Sequence, residues 1–276
     1  MTELSSKLSG SMTTFQGSDC QLEGYISKPK SPGPWPAVIV IHEIFGLVDH
    51  TKDVADRFAS QGYVAVAPNL MSRPEVATIM TQQAVSEMFS FMSTLETSKM
   101  RDPSYVESEM SKLPPEKRER IDKVRKMMFG GLPYEKMTND LVKISEYLRS
   151  TDFVKGGKVG SVGFCFGGGM SINLACATPI DACVIFYGSN PTPVDLVEKV
   201  AGPVLGIYGG EDMRINAGLK DLVDAMVKYK KDFEMRIYPG APHAFFNDTN
   251  PSTYRPEAAK EAWQRVLNFY RRTLLS

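Results

Sequence analysis

The chain has 276 residues, of which 42% are hydrophobic and 23% charged, and its 32 basic residues balance 32 acidic ones. This apolar content argues against a disordered protein, and the lack of a basic excess argues against a nucleic-acid binder. The most apolar stretch, residues 36–48, is shorter than the ~20 residues of a membrane span, and the N-terminus lacks the pattern of a secretory signal. Four cysteines without a Cys-x-x-Cys pair are typical of free thiols in a reducing compartment, so we expect a cytoplasmic protein.

The chain opens with two alternating segments, residues 12–17 and 21–29, which predict an antiparallel hairpin at a sheet edge. Continuous apolar runs, of the kind found in strands buried on both faces, then recur along the chain. These runs are PAVIVIH from Pro36, YVAVAP from Tyr63, KVGSVGF from Lys158, ACVIFYG from Ala182, PVLGIYGG from Pro203 and FEMRIYPG from Phe233.

Helical stripes of apolar residues lie between and after these runs. The stripes are Leu141, Ile144 and Leu148, then Leu219, Leu222, Val223 and Met226, then Trp263, Val266, Leu267 and Tyr270. We expect a cap at Asn139 or Asp140 for the first of them. The alternation of strand and helix predicts an α/β fold with a mostly parallel central sheet flanked by helices, and active sites in such sheets gather at the carboxyl ends of strands.

One long segment interrupts this alternation. No convincing strand lies between about Arg73 and Met137, and nine of the 15 methionines fall between Met71 and Met137. The segment ATIMTQQAVSEMFSFMSTL and the charged segment PPEKRERIDKVRKMMFGG both have helical patterns. We therefore predict a Met-rich helical insertion at about 74–137, whose methionines either fill ordinary packing gaps or line a lid or subunit interface.

The strongest functional signal is the segment GFCFGGG at 163–169, between an apolar strand and a helix-forming run. The pattern Gly-x-Cys-x-Gly is a nucleophile elbow with cysteine in place of serine. Such a tight turn requires small neighbours, and it aims the sulfur of Cys165 at the N-terminus of the next helix, which favours a thiolate. The alternative is a buried cysteine in a glycine-rich turn.

The residues downstream of the elbow favour catalysis. In an elbow hydrolase the acid and then the base follow the nucleophile along the chain. The strand PVLGIYG ends in Glu211 and Asp212, and the next strand is followed by His243. His243 would exchange the thiol proton, and Asp212, favoured over Glu211 because its side chain is shorter, would orient the imidazole.

The loop after the first buried strand reads His42-Glu43-Ile44-Phe45-Gly46. In this architecture that loop supplies one oxyanion-hole N–H, and the residue after the nucleophile, Phe166, supplies the other. Glu43 is unusual here, because a carboxylate repels the developing oxyanion. It is either a solvent-exposed acid at a helix start or a group that contacts the Cys165 thiol and controls its protonation.

The motifs HEIFG, PNLMSR, GFCFGG, YGGED and PHAF occur in this order and at this spacing, and the sequence resembles the dienelactone hydrolase family from about residue 12 to the C-terminus. The resemblance implies a single α/β-hydrolase domain over residues 1–276 that uses a Cys-His-Asp triad without metal or cofactor. By this resemblance Cys165 is the nucleophile, His243 the base and Asp212 the acid that orients it. Glu43 would hold the resting thiol, and Ile44 and Phe166 would supply the N–H groups of the oxyanion hole.

The expected substrate groups transfer less completely. Members of the family grip a substrate carboxylate with two arginines; Arg73 matches the first, and Asn247 stands at the position of the second. Asn247 can donate a hydrogen bond but carries no charge. Tyr187, which ends the run ACVIFYG, is a further candidate for the pocket wall or for the core.

We therefore expect a monomeric or homodimeric hydrolase that cleaves a small ester or lactone through a thioester, with neither a nucleic-acid nor a membrane partner. The alternatives are a general short-chain carboxylesterase and a non-catalytic thiol redox sensor on the same fold. A glutamine amidotransferase also uses this elbow, but its base and acid form a His-x-Glu pair, whereas His243 is followed by Ala244 and Phe245.

Overall fold

The computed structural model of the protein describes residues 8–100, 102–154 and 156–275, apart from the side chain of Thr97. The expectation that the N-terminus carries no secretory signal falls mostly on residues outside this range. The strands are β1 (Leu8–Gln16), β2 (Gln21–Pro29), β3 (Ala37–Ile41), β4 (Val64–Pro68), β5 (Val159–Phe164), β6 (Ala182–Phe186), β7 (Val204–Gly209) and β8 (Phe233–Tyr238). The helices are α1 (Asp49–Ser60), α2 (Pro74–Ala77), α3 (Gln82–Thr94), α4 (Pro103–Ser111), α5 (Pro115–Lys126), α6 (Tyr134–Ser150), α7 (Phe166–Ala177), α8 (Met213–Asn216), α9 (Leu219–Lys228) and α10 (Pro256–Leu274).

The strands form one eight-stranded sheet in the order β1-β2-β4-β3-β5-β6-β7-β8. The β1–β2 and β2–β4 pairs are antiparallel, and the pairs from β4 to β8 are parallel. The predicted hairpin, all six strands and the mostly parallel sheet are therefore confirmed. Five of the six strands are buried as expected, but β8 is not: it forms the edge of the sheet and only Tyr238 of its six residues is buried, so the prediction of burial on both faces is wrong there. Because β3 and β5 to β8 run the same way, the loops that follow them meet at one edge of the sheet.

Side chains on alternate positions of the central strands enter two hydrophobic clusters, one on each face of the sheet. On one face, Val184 and Phe186 of β6 pack with residues of α1 and α10. On the other face, Cys183 and Ile185 of the same strand pack with residues of α7 and α9. All five residues of β3, β4 and β6 are buried, which explains their continuous apolar sequence.

The chain divides into two compact units, one formed by Met1–Leu70 with Tyr134–Ser276 and one formed by Met71–Pro133. The second unit contains α2 to α5, and within it α3 and α5 pack together. Arg120 of α5 donates two hydrogen bonds of 2.9 Å to the carboxylate of Glu87 on α3. The single domain with an insertion at about 74–137 stays a prediction.

Two details of the helices differ from the predictions. The helix that carries Leu141 begins at Tyr134, so the predicted cap at Asn139 or Asp140 is wrong. Asp140 is buried inside that helix, where its Oδ1 accepts hydrogen bonds of 2.8 Å from the backbone N and the Oγ of Ser18. Helices α1 and α4 and the short helices α2 and α8 were not predicted individually. No helix among the described residues is both long and apolar enough to cross a bilayer.

Candidate active site

Cys165 stands in a strained turn between β5 and α7. Its φ is 56° and its ψ is −115°, a conformation that a residue with a side chain rarely adopts. The turn is tight enough that a Cβ at Gly167 would meet the backbone oxygen of His42 at 2.5 Å. A Cβ at Gly163 would likewise collide with the backbone of Gly167. The elbow predicted from the sequence is therefore present, with glycine where the backbones touch.

Backbone strain concentrates at this edge of the sheet. Four described non-glycine residues have positive φ, and three of them, Cys165, Tyr187 and Ala244, follow β5, β6 and β8. Strained residues persist where the surrounding structure fixes them, and they cluster at functional sites. The positive φ angles alone therefore indicate that the candidate site lies at the carboxyl edge of the parallel strands.

His243 and Asp212 form the central pair of the site. His243 Nδ1 donates a short hydrogen bond to Asp212 Oδ2, and Asp212 Oδ1 accepts from the backbone N of Ile215 at 3.4 Å. Asp212 is buried, whereas its neighbour Glu211 is exposed. Of the two carboxylates considered from the sequence, Asp212 is thus the one that contacts the imidazole.

The other ring nitrogen of His243 is buried and makes no conventional hydrogen bond within the described residues. Burial lowers the pKa of His243, but the hydrogen bond to Asp212 and the interaction with the Cys165 thiol outweigh it and raise the pKa to about 9. The imidazole is therefore hydrogen-bonded to the Asp212 carboxylate through Nδ1, and the Cys165 thiol is near enough to raise its pKa.

Glu43 lies at the same edge of the sheet, just after β3, and only 5% of its surface is exposed. Asn247 Nδ2 donates a 2.8 Å hydrogen bond to Glu43 Oε2, while Glu43 Oε1 is buried without a hydrogen-bond partner in the described part of the chain. Burial raises the pKa of Glu43 against the opposing effects of Asn247, His50 and His243. The reading of Glu43 as a solvent-exposed acid is wrong.

Asn247 has a fixed orientation. Its Oδ1 accepts hydrogen bonds from the backbone N of Thr249 at 3.0 Å and from Thr249 Oγ1 at 2.6 Å. Only the NH₂ group is therefore left to face the site, and it is engaged by Glu43. One of the two N–H donors that the sequence analysis assigned to substrate is therefore used within the protein.

Two tyrosines border the site. Tyr187 is fully buried, and its ring centroid lies 5.0 Å from that of His243. Burial, followed by the nearby Glu43 and Cys165, raises its pKa well above the usual value. Tyr134, the first residue of α6, packs on Phe166 with 5.8 Å between ring centroids; burial and the nearby Cys165 raise its pKa. The sequence analysis missed Tyr134, because nothing in its neighbourhood marks it as close to the elbow.

The backbone groups predicted for an oxyanion hole come from a turn and from the start of a helix. Ile44 lies in the turn after β3, and Phe166 is the first residue of α7, where N–H groups have no partner inside the helix. Arg73 belongs to the second unit, where its buried guanidinium pairs with Glu75 at 3.1 Å. Its role toward substrate stays a prediction.

One group of side chains among the described residues is close enough to hold a metal ion, and it lies at the β1–β2 turn. It consists of Asp19, Cys20 and Asp140. Asp140 is engaged by Ser18, and Asp19 pairs with Lys136 at 3.3 Å. Protein contacts thus account for two members of this group.

The parallel sheet, the strained Cys165 elbow and the His243–Asp212 pair at the carboxyl edge define a hydrolase of the α/β-hydrolase fold. A sequence profile described as the dienelactone hydrolase family matches residues 22–274, and the chain belongs to that family. This confirms the resemblance found in the sequence.

Individual relatives agree with this assignment. The chain is 42% identical over 261 residues to a protein of Saccharolobus solfataricus provisionally named a carboxymethylenebutenolidase, covering 94% of this chain and 97% of that one. It is 30% identical to a protein of Synechocystis with the same provisional name, over 95% of this chain and 96% of that one. A crystal structure from Klebsiella pneumoniae, provisionally named a dienelactone hydrolase, is 25% identical, with a TM-score of 0.68 over 95% of this chain and 98% of that one.

Proposed function

We propose that the protein hydrolyses a small ester or lactone, with Cys165 as nucleophile, His243 as acid and base, and Asp212 as the group that orients His243. The observation that carries the proposal is the arrangement of His243, whose Nδ1 is bound to buried Asp212 while the thiol of Cys165 raises its pKa. A carboxylate that fixes the tautomer leaves the second nitrogen to exchange a proton with the nucleophile.

The proposed reaction has two halves. The Cys165 thiolate attacks the acyl carbon, and the carbonyl electron pair moves onto oxygen, which the N–H groups of Ile44 and Phe166 stabilise. When the oxyanion collapses, the acyl–oxygen bond breaks and the leaving oxygen takes the proton of His243. His243 then removes a proton from water, the hydroxide attacks the thioester, and the carbon–sulfur bond breaks to regenerate the thiolate and release the acid.

Glu43 controls the resting thiol in this proposal. Its Oε2 is held by Asn247, so Oε1 is the atom able to exchange a proton with a neighbour. Because burial raises its pKa, the carboxyl accepts a proton more readily than an exposed glutamate does. Replacement Glu43→Gln removes this proton acceptor, and we expect it to change the pH profile of Cys165 alkylation.

The test is hydrolysis of p-nitrophenyl acetate by wild type and Cys165→Ala, with Cys20→Ala as a control thiol outside the elbow. We expect Cys165→Ala to lose at least about 10³-fold in kcat/KM, since the covalent route is removed, and the control to match wild type. Mass spectrometry of the quenched wild-type reaction should detect an acyl group on Cys165. Undiminished turnover by Cys165→Ala contradicts the mechanism, and an absence of Cys165-dependent turnover on every ester tried favours the thiol sensor.

Two substrate classes, which differ in charge, are proposed for the site. The provisional name of the relatives, carboxymethylenebutenolidase, favours an anionic lactone, whereas the use of Asn247 by Glu43 favours neutral esters and a general carboxylesterase. The two substrate classes are separated by measuring kcat/KM for an anionic lactone and for its methyl ester, in both wild type and Arg73→Ala. Preference for the anion that is lost in Arg73→Ala supports the lactone substrate, and indifference to charge supports the general esterase.

We also propose that the protein works in the cytoplasm as a monomer or homodimer. Cys165, Cys176 and Cys183 are free thiols, which is typical of a reducing compartment. Cell fractionation and light scattering of the purified protein test the two statements.

A further inference from the structure

His42, the residue that follows β3, is fully buried and uses both nitrogens of its ring. Its Nδ1 lies 2.5 Å from the backbone oxygen of Glu43, and its Nε2 lies 2.9 Å from the backbone N of Leu70. The Leu70 N–H can only donate, so Nε2 must be the unprotonated nitrogen and Nδ1 must carry the hydrogen. Nδ1 therefore donates to the Glu43 carbonyl.

This hydrogen bond fixes a second group by covalent geometry. The Glu43 carbonyl and the Ile44 N–H belong to one planar trans peptide and point in opposite directions. Holding the carbonyl on the His42 side thus directs the Ile44 N–H away from His42. The turn itself holds that carbonyl less tightly, because the Gly46 N–H reaches the Glu43 oxygen only at 3.3 Å.

The same ring also contacts the side chain of Phe166, the residue whose backbone N–H is the other expected donor. His42 stacks on Phe166, with 5.9 Å between ring centroids and an interplanar angle of 21°. Burial lowers the pKa of His42 to about 4, although hydrogen bonding to backbone carbonyls opposes the shift, so the ring is neutral at physiological pH. A neutral ring keeps Nε2 as an acceptor for the Leu70 N–H.

We infer that His42 is a positioning residue for the oxyanion hole, which orients the Ile44 N–H through the Glu43 carbonyl and supports Phe166 by stacking. The inference rests on the proposed function, because it concerns the tetrahedral intermediate of that reaction. His42 itself touches neither substrate nor sulfur in this role. It differs from a purely structural core histidine in that its loss slows oxyanion-forming reactions more than other reactions of the same thiol.

Two substitutions separate the two ring nitrogens. In His42→Asn the side-chain amide can occupy the place of Nδ1 and donate to the Glu43 carbonyl, but it does not reach Leu70. In His42→Gln the side-chain oxygen can occupy the place of Nε2 and accept from Leu70, but the Glu43 carbonyl loses its donor. Both variants lose the aromatic ring, so the difference between them shows whether the hydrogen bond to the Glu43 carbonyl or the one from the Leu70 N–H matters more for kcat.

The measurements are p-nitrophenyl acetate hydrolysis and alkylation of Cys165 by iodoacetamide, a displacement that forms no oxyanion. We expect His42→Gln to lower kcat about 10- to 100-fold with KM within about threefold, and His42→Asn to lose clearly less. Alkylation should stay within about threefold of wild type in both. Equal losses of kcat in the two variants, or a parallel loss of alkylation, overturn the inference.

A measurement on the wild type keeps the test decisive if a variant fails to fold. Long-range ¹H–¹⁵N correlation spectra report the tautomer of a histidine ring directly. We expect the Nδ1-protonated tautomer for His42, and an Nε2-protonated or cationic ring at pH 7 overturns the inference. Failure of the proposed function has a separate signature, since wild-type hydrolysis would then not depend on Cys165.

Discussion

The pKa of His243 links the stability of the fold to pH. Burial opposes the charged ring, but Asp212 and Cys165 stabilise it enough to raise the pKa from 6.5 to about 9. A pKa raised on folding contributes stability below the unfolded value, and that contribution is lost as the pH rises through the folded value. The relevant window therefore runs from about pH 6.5 to about pH 9.

We predict that the free energy of unfolding falls across this window and that Asp212→Asn makes the fall smaller. The difference between the two proteins should be about 1–3 kcal/mol over the window, because Asp212 provides the largest favourable contribution to the charged ring. Urea denaturation at several pH values measures it. Glu211→Gln, which changes the neighbouring exposed carboxylate, is the control and should follow wild type; identical profiles for Asp212→Asn and wild type contradict the prediction.

The sequence was enough to predict which side chains lie near one another at the site where a catalytic motif allows few residue types. Cys165, His243 and Asp212 stand in motifs whose order along the chain matches an elbow hydrolase, and the structure brings their side chains together. The burial of Glu43 was not predictable, because a carboxylate after an apolar strand is equally consistent with solvent exposure. One of the two hydrogen bonds of His42 comes from the N–H of Leu70, 28 positions away, which no local pattern reveals.

At the scale of elements, the start of α7 must lie close against the end of β3. A Cβ at Gly167 would approach the backbone oxygens of both Ile41 and His42, and neither can move without disturbing β3. A Cβ at Gly169, on the same helix, would come closest to Ser189 Oγ at 2.8 Å, and that hydroxyl can rotate away. The two glycines therefore differ in what surrounds them.

We predict that Gly167→Ala destabilises the protein by at least about 2 kcal/mol, because overpacking against backbone cannot relax by a side-chain rotation. The matched variant Gly169→Ala should stay within about 1 kcal/mol of wild type, helped by the higher helix propensity of alanine. Thermal and urea unfolding measure both. Similar stabilities for the two variants would show that the approach of α7 to β3 is not a constraint.

An ion-pair network joins α1 to the loop that carries His243. His50 Nδ1 lies 3.1 Å from Asp248 Oδ1, and Arg57 Nη2 lies 2.5 Å from Asp248 Oδ2. The side chain of His50 is only 3% exposed, so its partner cannot be replaced readily by water. Asp248 directly follows Asn247, so the network also steadies the residue that holds Glu43.

We predict that Asp248→Ala lowers the free energy of unfolding by about 1–3 kcal/mol, since it leaves His50 buried without its acceptor. Asp53, the other carboxylate that pairs with Arg57, is 53% exposed, so Asp53→Ala should cost no more than about 1 kcal/mol. Urea denaturation of both variants tests the contrast. Equal effects would mean that the burial of His50 adds nothing to the pair.

The elements themselves were predictable to different degrees. The buried strands were found because parallel strands covered on both faces must be apolar throughout. The start of α6 was placed too late because its first turn, from Tyr134, has a polar and mixed sequence, and Asp140 resembles a cap although it is bound by Ser18. Helix α4 escaped prediction because its segment, PSYVESEMS, is short and weakly amphipathic.

At the scale of the whole molecule, the first unit is built from two chain segments, one before and one after residues 71–133. Strand β3 of the first segment pairs with β5 of the second, from Ala37 opposite Val159 to Ile41 opposite Gly163. Phe58 of the first segment and Tyr270 of the second belong to one hydrophobic cluster, with 5.7 Å between their ring centroids. The sheet therefore depends on hydrogen bonds and packing between the segments rather than on their covalent connection.

We predict that a single cut between Leu113 and Pro114 leaves the two fragments associated, because five register positions of the β3–β5 ladder and the shared cluster survive it. The position follows α4, next to Lys112, whose side chain is 64% exposed, so an engineered protease site there is accessible. The cut protein should elute from a sizing column with intact protein and keep its far-ultraviolet circular dichroism, while a denaturing gel resolves two bands.

In urea the cut protein should unfold at a lower concentration than the intact chain, because the entropy of the separated fragments now opposes folding. Fragments that separate in native buffer would mean that the covalent connection, and not the pairing of β3 with β5, holds the first unit together.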